Sequence, residues 1–218
     1  MKQSLRLKID RFFSTYRTLV FEKGEIIIQA EQEPNGVFYL LEGRVVQYDI
    51  LPNGTEAVVN VFQIPSFFPM SWAINKTPNH FFYEAQTRVV AKQAPASEVV
   101  DFLKTDPETT LNLLARTFRG AEGMLRRMTF LMGGDAKSRL QFELLNTAYR
   151  FGTYLPDGSV RLDLTETDLA KRSGLARETV SRTLRALKSD NVVSIEQGGG
   201  SIVLLDIKEL ENQADIDS

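Results

Sequence analysis

The sequence predicts an α+β protein built from an antiparallel β domain, a long amphipathic helix and a C-terminal winged helix-turn-helix. Three observations predict this architecture. Short β-rich runs alternate with turn residues up to about residue 91, apolar residues then recur at alternating spacings of three and four, and two short helical segments near the C-terminus precede a glycine-containing hairpin. We therefore place the β domain at residues 1–105, the long helix and its hinge at 106–134, and the winged helix-turn-helix at 135–218.

The first region has the pattern of an antiparallel β sandwich or barrel. Its strand candidates are rich in β-branched and aromatic residues and recur about every ten residues. They are Ile26–Ile28, Val37–Leu41, Val45–Tyr48 and Val58–Phe62. The turn candidates, which we interpret as hairpin loops, are Lys23–Glu25, Pro34–Gly36, Glu42–Gly43 and Pro52–Gly54.

The second region carries a heptad pattern. Its apolar positions are Leu111, Leu114, Phe118, Ala121, Leu125, Met128 and Met132. Asp106 and Pro107 suit the N-cap and first helical positions, and Gly133–Gly134 suits the end. Such a stripe packs either against its own domain or against a partner chain. A helix of about 26 residues extends roughly 39 Å, more than a small β domain needs for cover, so we interpret the stripe as a homodimer interface.

The third region contains a helix-turn-helix pattern after an amphipathic helix at Ala136–Phe151. The Thr165 hydroxyl can accept from backbone N–H groups at the start of the first motif helix, and Asp168 can return the bond. Gly174 suits the tight turn before a second helix at Arg177–Lys188. The inner face of that helix carries Val180, Leu184 and Leu187. A hairpin wing follows, with strands at Val192–Ile195 and Ile202–Leu205 joined through Gly198–Gly200.

The outer face of Arg177–Lys188 carries side chains suited to reading base edges. Arginine can donate two hydrogen bonds to guanine, glutamate can accept from cytosine, and serine suits a base or a phosphate. The candidate DNA contacts are Arg177, Glu178, Ser181, Arg182, Arg185, Lys188, Thr165 and Thr179. Charged residues on a helix exterior are often only solvated, but two helices followed by a wing favour the DNA-binding interpretation.

Composition excludes several classes of function. The 218 residues include no cysteine and one histidine, His80, which excludes disulfides, Cys-ligated zinc and iron–sulfur clusters and argues against a metalloenzyme of the cupin type. No secretion signal or membrane span is recognisable, so we expect a cytoplasmic protein. With one histidine and no cysteine for such chemistry, we also predict that the protein is not an enzyme. The formal net charge is −2, while Arg177–Lys188 is basic, so any binding of nucleic acid would be local.

Together these features resemble the CRP/FNR superfamily of transcription regulators, over nearly the whole chain and most specifically at Leu164–Ala170 and Arg177–Arg182. The resemblance implies a cyclic-nucleotide-binding β-roll (a double-stranded β-helix), a dimerisation helix and a winged helix that reads a palindrome. Glu178, Ser181 and Arg182 are similar to the residues of regulators that read TTGAT-type half-sites, and Arg177 to those that read TGTGA, which implies a TGA core. The implied partners are double-stranded DNA, a second copy of the chain and RNA polymerase.

The chain departs from the family at the cyclic-nucleotide contacts. Binders of this type carry a Gly-Glu step after an aromatic residue and an Arg-Ser step about ten residues later, whereas the matching stretches here are Phe67–Ser71 and Asn79–Phe81. A cyclic phosphate would find no fixed cation, and Pro69 has no backbone N–H to donate. We therefore expect no tight binding of cyclic AMP.

The same region is rich in aromatic side chains, which either line a pocket for an apolar effector or fill the vacated cavity. The candidate pocket residues are Phe68, Met70, Trp72, His80, Phe81 and Tyr83. A haem-ligand role for His80 is a further alternative. No cofactor is predicted, and an unidentified small-molecule effector stays open. The rival to a DNA-binding regulator is a sensor module of the same β fold without DNA activity, and the basic helix and wing argue against it.

Overall fold

A computed structural model describes residues 3–196 and 200–214. The chain divides into two compact units, residues 1–120 (the first unit) and 121–218 (the second unit). Helix α4 (Pro107–Gly133) contributes its N-terminal half to the first unit and its C-terminal half to the second. It begins after Asp106, whose carboxylate accepts a hydrogen bond from the backbone N–H of Thr109 at 3.2 Å. The predicted long helix is therefore present.

The first unit contains an antiparallel β-roll. Its strands are β1 (Thr18–Phe21), β2 (Ile26–Ile28), β3 (Val37–Glu42), β4 (Arg44–Ile50), β5 (Glu56–Gln63), β6 (Phe67–Phe68), β7 (Phe82–Ala85) and β8 (Val89–Ala94). They form two four-stranded sheets with the orders β1-β8-β3-β6 and β2-β7-β4-β5. The chain changes sheet between β2 and β3 and again between β3 and β4, as a roll requires.

Of the predicted hairpin loops, one closes a hairpin. Pro52–Gly54 joins β4 to β5, and the Gly54 N–H donates to the Leu51 carbonyl at 2.8 Å. The hairpin interpretation of Lys23–Glu25, Pro34–Gly36 and Glu42–Gly43 is wrong, because each lies between strands of different sheets. Turn residues mark where the chain bends, but the pairing partners are set by distant strands.

Three helices of the first unit flank the roll: α1 (Gln3–Phe13), α2 (Met70–Asn75) and α3 (Ala96–Thr105). A buried cluster joins α1 and α3 to the sheet that contains β3 and β6, and it includes Leu5, Ile9, Phe13, Tyr39, Phe67 and Val99. At its edge the Tyr39 hydroxyl donates to Asp10 at 2.8 Å, and burial raises the pKa of this tyrosine. The cluster anchors the N-terminal helix to the roll.

The second unit is a winged helix-turn-helix. Its helices after α4 are α5 (Ala136–Phe151), α6 (Glu166–Ser173), α7 (Arg177–Ser189) and α8 (Ile207–Ala214). Its strands are β9 (Thr153–Tyr154), β10 (Val160–Leu162), β11 (Val193–Ile195) and β12 (Ile202–Leu204), in the sheet order β11-β12-β10-β9. The wing strands β11 and β12 are antiparallel as predicted. Of the predicted wing glycines, Gly198 and Gly199 lie outside the described residues.

Candidate functional site

Helices α6 and α7 form the helix-turn-helix, and local sequence sets its geometry. A capping box between Thr165 and Asp168 begins α6. The turn contains Gly174 at φ +65°, the left-handed conformation that glycine adopts without steric cost. The inner face of α7 is fully buried and consists of Val180, Leu184 and Leu187. These contacts fix α7 to the core of the second unit, so its opposite face is held outward.

That opposite face carries most of the predicted DNA contacts. The side chains of Glu178, Arg182 and Arg185 follow one another at intervals of four and three, which places them on one side of α7. They are exposed, as are Arg177 and Lys188, whereas Ser181 is half-buried. Within residues 3–196 and 200–214, none of these charged residues forms an ion pair. Their charged tips are therefore available to a partner.

Four of the predicted contacts, Thr165, Thr179, Ser181 and Arg185, already take part in hydrogen bonds that involve side chains at α6 and α7. The Thr165 hydroxyl accepts from the Asp168 N–H, so it is part of the helix cap. The Thr179 carbonyl accepts from the Thr183 hydroxyl at 2.9 Å, and Thr179 is half-buried. The Ser181 hydroxyl accepts a long bond of 3.4 Å from Arg185. Of these, the long Arg185 to Ser181 bond is the one that a competing phosphate would most easily replace.

Helix α4 presents two different faces. One face contacts its own chain: Leu113 and Arg116 pack in the first unit, and Arg127 and Phe130 pack in the second. The other face carries the predicted heptad stripe, and its large members are 46–81% exposed. They are Leu111, Leu114, Phe118, Leu125, Met128 and Met132, and the stripe also includes exposed Ala121. An apolar stripe of this length is unusual on a free surface.

The six predicted effector-pocket residues do not gather around one space. Phe68, Phe81 and Tyr83 belong to a hydrophobic cluster inside the roll, while Met70 and Trp72 pack on the cluster beside α1 and α3. His80 is exposed, and its Nδ1 lies 2.8 Å from a carboxylate oxygen of Glu31. These placements run against a pocket formed by all six.

Aromatic rings occupy the interior of the roll. Phe68 is fully buried, and its ring centroid lies 5.5 Å from Phe38, 5.3 Å from Phe62 and 5.6 Å from Tyr83. The Tyr83 hydroxyl accepts a hydrogen bond from the Gln47 amide at 3.0 Å, and burial raises the pKa of Tyr83. The arrangement matches the alternative in which aromatic side chains fill the cavity.

The sequence did not identify a cation, Arg116, that lies close to the start of the Phe67–Ser71 stretch. Arg116 of α4 is half-buried, and its guanidinium donates to the carbonyl of Pro65 and, at 3.4 Å, to the hydroxyl of Ser66, just before β6. Burial and the neighbouring Arg119 lower the pKa of Arg116. The residue was not identifiable from sequence because it comes from a helix that is distant along the chain.

A cavity of about 530 Å³ lies elsewhere in the first unit, between α2, α3 and the first turns of α4. Its walls are mainly apolar and include Met70, Ile74, Val100, Leu103, Leu113 and Leu114. Met70 is the one residue that it shares with the predicted pocket. A cavity of this size is in the range of small-molecule sites.

Comparison with known proteins agrees with both halves of this architecture. Residues 18–106 match the model of the cyclic nucleotide-binding domain, and residues 138–213 match that of the Crp-like helix-turn-helix domain. The chain belongs to the CRP/FNR superfamily of transcription regulators. Both predicted parts of the fold, the β-roll and the winged helix-turn-helix, are thereby confirmed.

Named members of the CRP/FNR superfamily match this chain over most of its length. The global nitrogen regulator of Synechocystis is 28% identical over 179 residues, which cover 80% of this chain and 79% of that protein. The CRP-like cAMP-activated global transcriptional regulator of Mycobacterium tuberculosis is 26% identical over 200 residues, covering 89% and 86%. The crystal structure of a CRP/FNR family regulator from Thermus thermophilus superimposes with a TM-score of 0.75 at 24% identity, covering 93% and 100%.

In this CRP/FNR regulator the whole of α6 and α7 lies inside the matched helix-turn-helix domain. The chain is therefore a transcription regulator with a DNA-binding domain of that type. Among the described residues, no helix combines the length and the apolar character needed to cross a membrane. The same residues contain no cluster of three or more side chains that could ligate a metal ion.

Proposed function

We propose that this regulator acts as a homodimer and reads a palindromic operator whose half-sites contain TGA. The observation that carries the proposal is the outer face of α7, where Arg177, Glu178 and Arg182 are exposed and unpaired within the described part of the chain. Arg182 and Glu178 would discriminate the G·C pairs of the half-site by donating to guanine and accepting from cytosine. Ser181 lies between them and would contact a base or a phosphate.

Arg185 and Lys188 would contact phosphates. They lie towards the C-terminal end of α7 and are exposed, so their charge would act on the DNA backbone. The first turn of α7, with Arg177, would also favour a phosphate oxygen at the helix N-terminus. Thr165 and Thr179 would lie at the edge of this surface. Phosphate contacts set the register in which the base contacts act.

Pairing of two α4 helices would produce the dimer. The self-contacting face and the exposed stripe lie on different sides of α4, so the stripe can pair with an identical stripe while the other side keeps its own contacts. A two-fold axis would then present two α7 helices to successive major grooves, about 34 Å apart. For these roles we assign residues 1–105 to the sensor, 106–134 to the dimerisation helix and hinge, and 135–218 to DNA binding, with RNA polymerase as a further partner.

We infer that cyclic AMP does not control this regulator, although the M. tuberculosis relative is named as cAMP-activated. Phe68 and its ring neighbours fill the roll, and Arg116 donates to the Pro65 carbonyl. A cyclic nucleotide would have to displace both. Calorimetric titration with cyclic AMP is expected to give no heat of binding, and micromolar affinity would contradict the inference.

Selection of bound DNA from a random pool tests the function itself. We expect enrichment of an inverted repeat with TGA in each half. Enrichment of a single unrepeated site would refute the dimeric mode of reading. Failure of the protein to retain any of the pool would favour the rival, a sensor module without DNA activity.

A further inference from the structure

A buried charge cluster joins three helices of the second unit. Glu143 of α5 is 2% exposed, and its carboxylate accepts a hydrogen bond from Arg127 Nε of α4 at 2.5 Å. Arg172 of α6, 7% exposed, donates to the Thr147 hydroxyl of α5 at 3.1 Å. The α5 residues Glu143 and Thr147 lie one helical turn apart, so α5 presents both acceptors on one side, towards α4 and α6.

The cluster reaches the turn of the helix-turn-helix. Arg127 Nη2 donates to the backbone carbonyl of Arg172, in the last turn of α6. One turn further along α4, Leu131 Cδ2 would lie 4.0 Å from a Cβ placed on Gly174. Helix α7 begins three residues later, at Arg177. A single side chain of α4 thus binds both a buried carboxylate of α5 and the main chain beside the turn that leads into α7.

Stability alone does not explain such a cluster. A buried ion pair loses about as much free energy by desolvation as it gains by attraction, and apolar residues of similar volume often replace it without loss. Phe130 and Phe142 already provide an apolar contact between α4 and α5, with ring centroids 4.6 Å apart. What hydrogen bonds add is direction, because they fix the rotation of α4 about its axis as well as its distance from α6.

We propose that Glu143, Arg127 and Arg172 are positioning residues that lock the end of the dimerisation helix to the helix-turn-helix, and thereby hold the two recognition helices of the dimer at one separation. This inference rests on the proposed dimeric function. None of the three residues is a predicted DNA contact. Each would act on the operator through the placement of α7.

The spacing between half-sites provides the test. Adding one base pair moves a half-site by about 3.4 Å and rotates it by about 34°, so a rigidly held pair of helices tolerates one spacer length. We would measure binding of the full chain to the selected operator and to versions with one or two base pairs added or removed. For the unsubstituted protein we expect each single change to raise Kd by about tenfold or more.

Glu143→Gln keeps the shape and removes the charge. We expect this variant to accept altered spacers, with a penalty of about threefold or less, while its affinity for an isolated half-site stays unchanged. Gln141→Met is the matched control, because Gln141 is equally buried on α5 but bonds Gln213 of α8. The control is expected to keep the spacer preference of the unsubstituted protein.

Two results would overturn the proposal. If Glu143→Gln weakened binding by the same factor at every spacer length, the cluster would serve stability alone. If it left the preference intact, the cluster would not set the separation. The triple variant Arg127→Met/Glu143→Met/Arg172→Met keeps the test decisive should Glu143→Gln fold poorly, since replacing all three residues leaves no charge of the cluster buried without a partner. Selection of a single unrepeated site, in place of an inverted repeat, would instead refute the dimeric function.

Discussion

The backbone N–H of Asp168 donates to the Thr165 hydroxyl at 3.1 Å, and the Asp168 carboxylate accepts from the backbone N–H of Thr165 at 2.9 Å. This reciprocal pair satisfies two backbone donors that α6 would otherwise leave unpaired. The same carboxylate also accepts from the Thr165 hydroxyl at 2.7 Å. The start of the helix-turn-helix is therefore set by Thr165 and Asp168, which are three residues apart. Because this signal is local, it could be predicted from the sequence.

Thr165→Ala is expected to lower the free energy of unfolding by about 1 kcal/mol, because it removes the side-chain acceptor of the cap. Urea unfolding followed by circular dichroism measures the change. Thr165→Ser is the control, since serine retains the acceptor and should stay close to the unsubstituted protein. Equal destabilisation by both variants would show that the methyl group, and not the cap, is responsible.

Arg182→Ala should relax discrimination at one base pair of the half-site. The loss of a bidentate arginine contact costs about 1–3 kcal/mol for the correct base and much less for a wrong one. Lys188→Ala on the same helix is the comparison, because a phosphate contact weakens all sequences alike and reduces the salt slope by about one. Fluorescence anisotropy on a panel of half-site variants at several salt concentrations measures both. An unchanged base preference in Arg182→Ala would refute its assignment to a base.

The exposed stripe of α4 leads to a prediction about assembly. Leu125 is 63% exposed, and Leu125→Glu would place two carboxylates at the proposed dimer seam. We expect the dimer Kd to rise by about tenfold or more, with the monomer fold retained, because a buried unpaired charge is costly. Sedimentation velocity measures the shift. Arg119→Gln lowers the net charge by the same one unit per chain outside the stripe and should leave the dimer intact, whereas an equal effect of both variants would point to net charge.

Local patterns were sufficient for the helices that carry the proposed function. The heptad stripe of α4 and the cap and turn of α6 and α7 each depend on residues within a few turns of one another. Helix α1 has a local pattern of the same kind, since its buried residues Leu5, Ile9 and Phe13 recur every four residues. Seven of the eight predicted DNA contacts could be placed for the same reason, since they share α7, whereas Thr165 caps α6.

Contacts between segments that are distant along the chain could not be predicted from the sequence. Gly43 illustrates this, because a Cβ added to it would lie 2.1 Å from the carbonyl oxygen of Arg88, which lies in the connection between β7 and β8. The sequence predicted a turn at Glu42–Gly43, but it did not show that the chain passes there from one sheet to the other. Arg116 and Glu143 are similar cases, since an arginine or a glutamate in an amphipathic helix looks like a surface residue until its partner on another element is known.

Phe68 leads to the last prediction, which separates a filled roll from a ligand pocket. Phe68 is fully buried among three rings, so Phe68→Ala should lower the free energy of unfolding by about 3–5 kcal/mol and leave an apolar cavity. Phe82→Ala is the control. Phe82 is half-buried against Tyr48, so its replacement should lower the free energy of unfolding by less. Urea unfolding gives the stabilities, and binding of a small aromatic probe reports the cavity. If the Phe68→Ala protein stays stable and binds no probe, the ring is dispensable. Loss of stability together with probe binding is expected only if the ring fills space that the surrounding residues cannot close.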